Sequence, residues 1–274
     1  MSLPLSLAIN ANLQYLQYLQ RLWCLIFSLL LMLLAPRSVL AGLPETIATI
    51  KPSIVVVGTF SAIRSPQFMM RGTGFAVGNG SLIATNAHVV APLLNITQQE
   101  TLAVLVRQGD TLQRRLVTLE ASDAAHDIAL LKMSGPVLPT LKIATTTIVR
   151  EGQPVALIGF PIGGSLGFSP VTHRGIISSI TPIALPSNHS VQLNPKSIRQ
   201  LRHGIFSIYQ LDATAYPGNS GGPLFDPDTG EVIGILNMVF VKSTKESALE
   251  KPSGISYAIP ARYLDELLTT PSSN

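Results

Sequence analysis

The chain has 274 residues, 46% hydrophobic and only 12% charged, which excludes a disordered tail and a solvated coiled coil and leaves room for one or two packed domains. The formal charge of +4 shrinks once Arg21 and Arg37, in the acid-free first 41 residues, are set aside. The remainder holds 17 basic against 15 acidic groups, too balanced a surface to suggest a nucleic-acid partner. The one cysteine, Cys24, lies before residue 42, so the body of the chain can hold no disulfide, no cysteine zinc site and no cysteine nucleophile.

The first element in chain order is an apolar run over residues 22–35, interrupted by a single hydroxyl at Ser28. It is shorter than the ~20 residues that span a bilayer comfortably. It has the length of a secretory signal's apolar region, and Val39-Leu40-Ala41 supplies a cleavage site, so residues 1–41 are expected to be a signal peptide. An uncleaved signal anchor over 22–35 is the alternative, and only then would the protein touch a membrane. Both readings place the body outside the cytosol, in a periplasmic, lumenal or secreted location.

Beyond residue 42, short β-rich runs recur between Gly, Pro, Asn and Asp: 54–60, 74–77, 82–84, 102–107, 112–119, 128–133, 154–159, 175–180, 205–212, 232–240 and 254–259. Many short strands separated by turn signals predict an all-β sandwich or barrel. Residues 226–230, Asp-Pro-Asp-Thr-Gly, read as a hairpin connection rather than a calcium loop. Helical periodicity is confined to 87–94 and to an amphipathic stretch at 261–268. The pattern loosens between Pro136 and Arg150, which divides the body into halves at 42–145 and 146–274.

Three motifs carry chemistry: Thr85-Asn86-Ala87-His88-Val89-Val90, reached from Gly72-Thr73-Gly74-Phe75; His126-Asp127-Ile128-Ala129-Leu130-Leu131-Lys132; and Pro217-Gly218-Asn219-Ser220-Gly221-Gly222-Pro223-Leu224. A serine hydroxyl is a weak nucleophile unless a base lies within hydrogen-bond reach. A neutral histidine can take its proton and hand it to a leaving amine. The histidine in turn needs a carboxylate to fix its tautomer. Glycine beside the serine lets the Gly218 and Ser220 N–H groups converge on a developing oxyanion. Each residue alone has a bland explanation: a core hydrogen bond, a turn, a loop. The order His88, Asp127, Ser220, with intervals of 39 and 93 residues, makes the set informative. Gly-Asn-Ser-Gly-Gly also fits the nucleophile elbow of α/β-hydrolases, but that fold requires a histidine after the serine, and the last one here is His203. His126 reads as a surface neighbour of Asp127, and His173, His189 and His203 as loop residues without metal-ligand spacing.

These motifs resemble the chymotrypsin-fold serine proteases, most of all the bacterial HtrA (Deg) branch, over about residues 48–262. The resemblance implies two antiparallel β-barrels with a short C-terminal helix. It also implies Ser220 as nucleophile, His88 as general base, Asp127 as its orienter, and Gly218, Asn219 and Ser220 as the oxyanion-hole segment. Asn219 stands where digestive relatives carry an Asp, so activation by a newly cut N-terminal amine is not expected. The specificity pocket is expected along Thr214, Tyr216, Pro217, Asn237, Met238, Val239, Ile255 and Tyr257. An uncharged Thr214 at its base points to cleavage after small to medium aliphatic residues. Only 12 residues follow Arg262, so no PDZ domain is expected. The implied activity is that of an exported serine endopeptidase acting on polypeptides without metal or organic cofactor. A catalytically silent, protease-like scaffold that binds unfolded or exported chains is the alternative.

Overall fold

The structure, a computed structural model, describes residues 16–28, 42–90, 100–161, 167–182, 206–237 and 255–270. The chain divides into two units, Met1–Leu40 and Ala41–Asn274. In the first, residues 16–28 are helical, with Leu16, Tyr18, Trp23, Leu25 and Phe27 exposed. No helix among the described residues is long and apolar enough to cross a membrane. Residues 29–41, which include the expected cleavage site, lie outside the described residues.

The second unit contains two closed antiparallel barrels, as the resemblance implies. The first is built from β1 (Ile54–Phe60), β2 (Phe68–Val77), β3 (Leu82–Thr85), β4 (Thr101–Gln108), β5 (Thr111–Asp123) and β6 (Ile128–Met133), in ring order β1-β2-β3-β6-β5-β4. The second uses β7 (Pro154–Gly159), β8 (Val171–Pro182), β9 (Ser207–Asp212), β10 (Pro223–Phe225), β11 (Val232–Asn237) and β12 (Ile255–Pro260), in ring order β10-β11-β12-β9-β8-β7. Among the described residues of this unit, short helices accompany them: α1 (Leu43–Ile50), followed by a 3-10 turn at Lys51–Ser53, the single turn α2 (Ala87–Val90) and α3 (Arg262–Thr269).

The apolar runs follow from burial on both sides of a strand. Along β1, Val55 and Val57 join a cluster drawn from the first barrel alone, with Ala76, Ile83, Val104 and Leu131. Their neighbours Ile54 and Val56 turn to a second cluster shared by both barrels, with Phe75, Ile128, Ile158, Phe225, Ile235 and Ile259. Strand β6 alternates the same way, Ala129 and Leu131 inward, Ile128 and Leu130 outward. A strand with two buried faces loses the polar alternation of a half-exposed one. Val155, Leu157, Ile177, Leu211, Leu224 and Ile233 fill the second barrel.

Strands β5 and β8 extend beyond the predicted 112–119 and 175–180. Both carry register shifts, between Leu119 and Ala121 and between Ile177 and Ser179, where an extra residue bends the strand around the barrel and breaks its alternation. Helix α1 escapes the periodicity test because its buried positions are Thr46 and Ile50, only one of them apolar. His173, expected in a loop, lies on β8 opposite Leu157 on β7. The segment between the barrels is pinned to both: Leu141 N–H donates to Ala76 O at 3.0 Å, and Ile143 forms a parallel bridge with Val232.

Helix α3 contacts β5 of one barrel and β12 of the other, and its Leu264 is fully buried in the shared cluster. Truncating such a side chain removes transfer energy and leaves a cavity. Leu264→Ala should destabilise the protein by about 2–5 kcal/mol in denaturant unfolding. Ile148→Ala, at a residue 79% exposed, should change stability by less than about 0.5 kcal/mol.

Candidate active site

Strands β3 and β6 pair with Thr85 opposite Ala129, so the chain leaving β3 meets the chain entering β6. Asp127 occupies that meeting point. Its carbonyl accepts from Ala87 N at 3.1 Å and from Asn86 Nδ2 at 3.0 Å. Its carboxylate takes three donors: His88 N reaches Oδ1 at 2.7 Å, while Oδ2 lies 2.6 Å from His88 Nδ1 and accepts from Asn237 Nδ2 at 2.7 Å. A carboxylate only accepts, so the neutral His88 ring carries its proton on Nδ1 and leaves Nε2 as the acceptor. Asn237 was expected along the pocket wall. The last residue of β11, it also points its amide at the carboxylate, a contact that only the long-range pairing of the barrels reveals.

The Ser220 loop is held against the same region by Thr73 of β2. The Thr73 hydroxyl donates to Gly218 O at 2.7 Å and accepts from Phe160 N at 3.1 Å, while Thr73 N donates to Ser220 O at 2.8 Å. Thr73 O in turn accepts from the Thr85 hydroxyl at 2.8 Å. Two glycines permit this closeness. A Cβ on Gly72 would sit 2.8 Å from both Ser220 O and the Val89 side chain. One on Gly221, at φ +85°, would sit 2.2 Å from Thr73 O and 3.2 Å from Asn86 N. The backbone flanking Ser220 therefore lies against the backbone flanking His88. Ser220 itself is 6% exposed. Gly218 adopts φ +105°, and among the described residues its N–H has no hydrogen-bond partner.

Asn219 is fully buried, and neither amide atom has a hydrogen-bond partner among the described residues. Its Oδ1 would come within 2.9 Å of a Cβ placed on Gly159. A carboxylate here would be a buried charge without a counter-ion, which gives a local reason for Asn rather than Asp.

Of the expected pocket residues, Thr214, Tyr216 and Pro217 follow the end of β9, and Ile255 and Tyr257 lie on β12, which pairs with β9 and β11. The two segments are tied by the Ser256 hydroxyl, which donates to Ala213 O at 2.7 Å. Met238 and Val239 lie outside the described residues. His173 was not expected here, but its ring stands 5.9 Å from Tyr216, with a buried Nε2 that has no hydrogen-bond partner among the described residues. Burial holds its pKa below the ordinary 6.5, because a charged imidazole would lose its hydration. His189 and His203 lie outside the described residues. No group of three or more His, Cys, Asp or Glu side chains that could hold a metal ion occurs among the described residues.

The trypsin-like peptidase domain family matches residues 72–235, more than half of the chain. A probable periplasmic serine endoprotease, DegP-like, of Pseudomonas fluorescens is 33% identical over 197 residues, covering 72% of this chain and 34% of its own length. The serine protease HTRA3 of Rattus norvegicus is 30% identical over 243 residues, covering 86% of this chain and 46% of its own. The chain thus spans about a third to a half of the length of these curated relatives. Among solved structures, an HtrA-type protease with a tripeptide superposes with a TM-score of 0.58 at 23% identity, covering 85% of this chain and 64% of that one, a likeness of fold. Barrel topology and domain match agree, and the chain belongs to the trypsin-like peptidases of chymotrypsin fold, on their HtrA-like side.

Proposed function

We propose that the chain is a serine endopeptidase that cleaves polypeptides through an acyl-enzyme. The observation that carries this reading is the Asp127 carboxylate bound to His88 Nδ1 at 2.6 Å, with the Ser220 loop fastened beside it by Thr73. Asp127 fixes the tautomer in which Nε2 of His88 is a base. His88 takes the Ser220 hydroxyl proton as Oγ attacks the scissile carbonyl carbon. The N–H groups of Gly218 and Ser220 receive the charge that develops on the carbonyl oxygen. The C–N bond then breaks, His88 passes its proton to the departing amine, and water repeats the sequence on the ester. Asn237 adds a third donor to Asp127, so the carboxylate is held from both barrels.

The pocket reading rests on Thr214, Tyr216, Pro217, Ile255 and Tyr257, none of which offers a counter-charge to a basic side chain. Small to medium aliphatic residues are therefore the proposed preference on the acyl side of the cut. The apolar run over 22–35 and the periplasmic designation of the Pseudomonas relative support an exported protein.

A fluorophosphonate probe should label the wild-type protein and leave Ser220→Ala unlabelled, with hydrolysis of unfolded casein falling by about 10⁶-fold in kcat. A folded wild type that is neither labelled nor active would favour the silent scaffold. Product mapping on a denatured protein should place the cuts after Val, Ala, Ile or Leu, and cuts mainly after Lys or Arg would discard the pocket assignment. Thr73→Val keeps the shape of the side chain but orphans Gly218 O. It should lower kcat about 10–100-fold with KM within about twofold, since misplacement of the oxyanion donors is felt chiefly in the transition state.

A further inference from the structure

His126 was expected to be a surface neighbour of Asp127. The structure instead gives it a dense set of contacts that the proposed reaction does not use. Its Nδ1 lies 2.5 Å from Asp123 Oδ2, and the N–H groups of His126 and Ala125 donate to Asp123 Oδ1 at 3.1 and 2.9 Å. Its ring lies on Tyr263, with centroids 3.9 Å apart and planes 13° from parallel. Phe206 meets it edge-on at 4.7 Å and also meets Tyr263 at 5.5 Å. On Tyr263, the Arg262 guanidinium stands 4.6 Å from the ring centre and donates to the phenol oxygen at 2.7 Å. Three distant pieces of chain, the β5–β6 turn, the foot of β9 and the first turn of α3, thus close on one imidazole.

The residue that follows is conformationally unusual. Asp127 has φ +55° and is the only non-glycine residue with positive φ among the described residues. Asp tolerates the left-handed region better than most side chains, but still at a cost, so the surrounding structure must hold it there. On the C-terminal side β6 does so, beginning at the fully buried Ile128. On the N-terminal side the holding contacts are those of His126. Burial alone would raise the pKa of the Asp123 carboxyl. The His126 side-chain and backbone hydrogen bonds, its charge and the Ala125 N–H outweigh that and keep it below the ordinary 3.8.

We propose that His126 is a positioning residue, clamped between Asp123, Phe206 and Tyr263, that holds the turn entering Asp127 and makes the aim of its carboxylate depend on the docking of α3. The proposal rests on the reading of Asp127 as the orienter of His88. His126 is not placed against substrate or reacting atoms. It acts through the backbone of its neighbour.

The test uses the full chain and the variants His126→Ala, Tyr263→Ala, their double, Tyr263→Phe and Tyr263→Leu, each checked for a native melting transition. The two alanine variants should each lose about tenfold in kcat with KM within about twofold, because a misaimed base slows chemistry more than binding. The double variant should be no slower than the slower single, since both remove one contact. Tyr263→Phe, which keeps the stacked ring, should retain wild-type kcat. Tyr263→Leu, which keeps an apolar side chain but no ring, should behave like Tyr263→Ala, and this pair decides the question if His126→Ala does not fold. Wild-type kcat in the folded alanine variants, or losses that multiply in the double, would overturn the clamp. Amide exchange over residues 123–127 separates this failure from failure of the protease reading. If the wild type proves inactive and unlabelled, faster exchange in His126→Ala and Tyr263→Ala would still uphold the clamp, and unchanged exchange would reject it.

Discussion

Three N–H groups converge on the carboxylate of Asp127, and they come from places far apart in the sequence. Two belong to His88, one from its backbone and one from its ring, and the third is the amide of Asn237 in the other barrel. Oδ1 depends on the His88 N–H alone, while Oδ2 shares the ring and the Asn237 amide, so the half-buried carboxylate is satisfied only when these distant pieces of chain are brought together. The site therefore requires the relative placement of β3, β6 and β11, and that placement is a property of both barrels together. The apolar cluster around Phe75, Ile158, Phe225 and Leu264 supplies it.

Thr73 makes another polar crossing between the barrels, and its surroundings show why a small hydroxyl residue stands there. One side chain accepts from Phe160 N and donates to Gly218 O, while its backbone engages Ser220 and Thr85. It is fully buried, and a buried network of this kind stabilises only when every member is satisfied. The glycines on either side of the network matter for space, and Gly221 also for its positive φ. Gly72 and Gly221 let two backbones approach to distances that any Cβ would forbid.

Much of this was legible in the sequence for identifiable reasons. The β1 and β6 boundaries were read correctly because both ends of each are marked by turn residues and both faces are apolar. The motif residues stood out because nucleophilic chemistry needs particular side chains, and their order along the chain matches the one that the chymotrypsin-fold resemblance implies. What the sequence concealed depends on distance. Asn237 looked like a wall residue because nothing local reveals that β11 ends beside Asp127. His126 looked exposed because its partners, Phe206 and Tyr263, follow it by 80 and 137 positions. The long β5 and β8 were clipped at their bulges, where alternation fails although pairing continues. Helix α1, with a threonine at one of its two buried positions, offered too few apolar landmarks to be seen.

The seam formed by Leu141, Ile143 and Val232 has a thermodynamic consequence. Residues 134–153 do not dangle between the barrels as a tether. They hydrogen-bond to Ala76 on one side and bridge to Val232 on the other, over an apolar layer that neither barrel could cover alone. A half expressed by itself would present that layer to water. Melting of the body should accordingly be cooperative, a single calorimetric event in which the two halves lose their order at the same temperature.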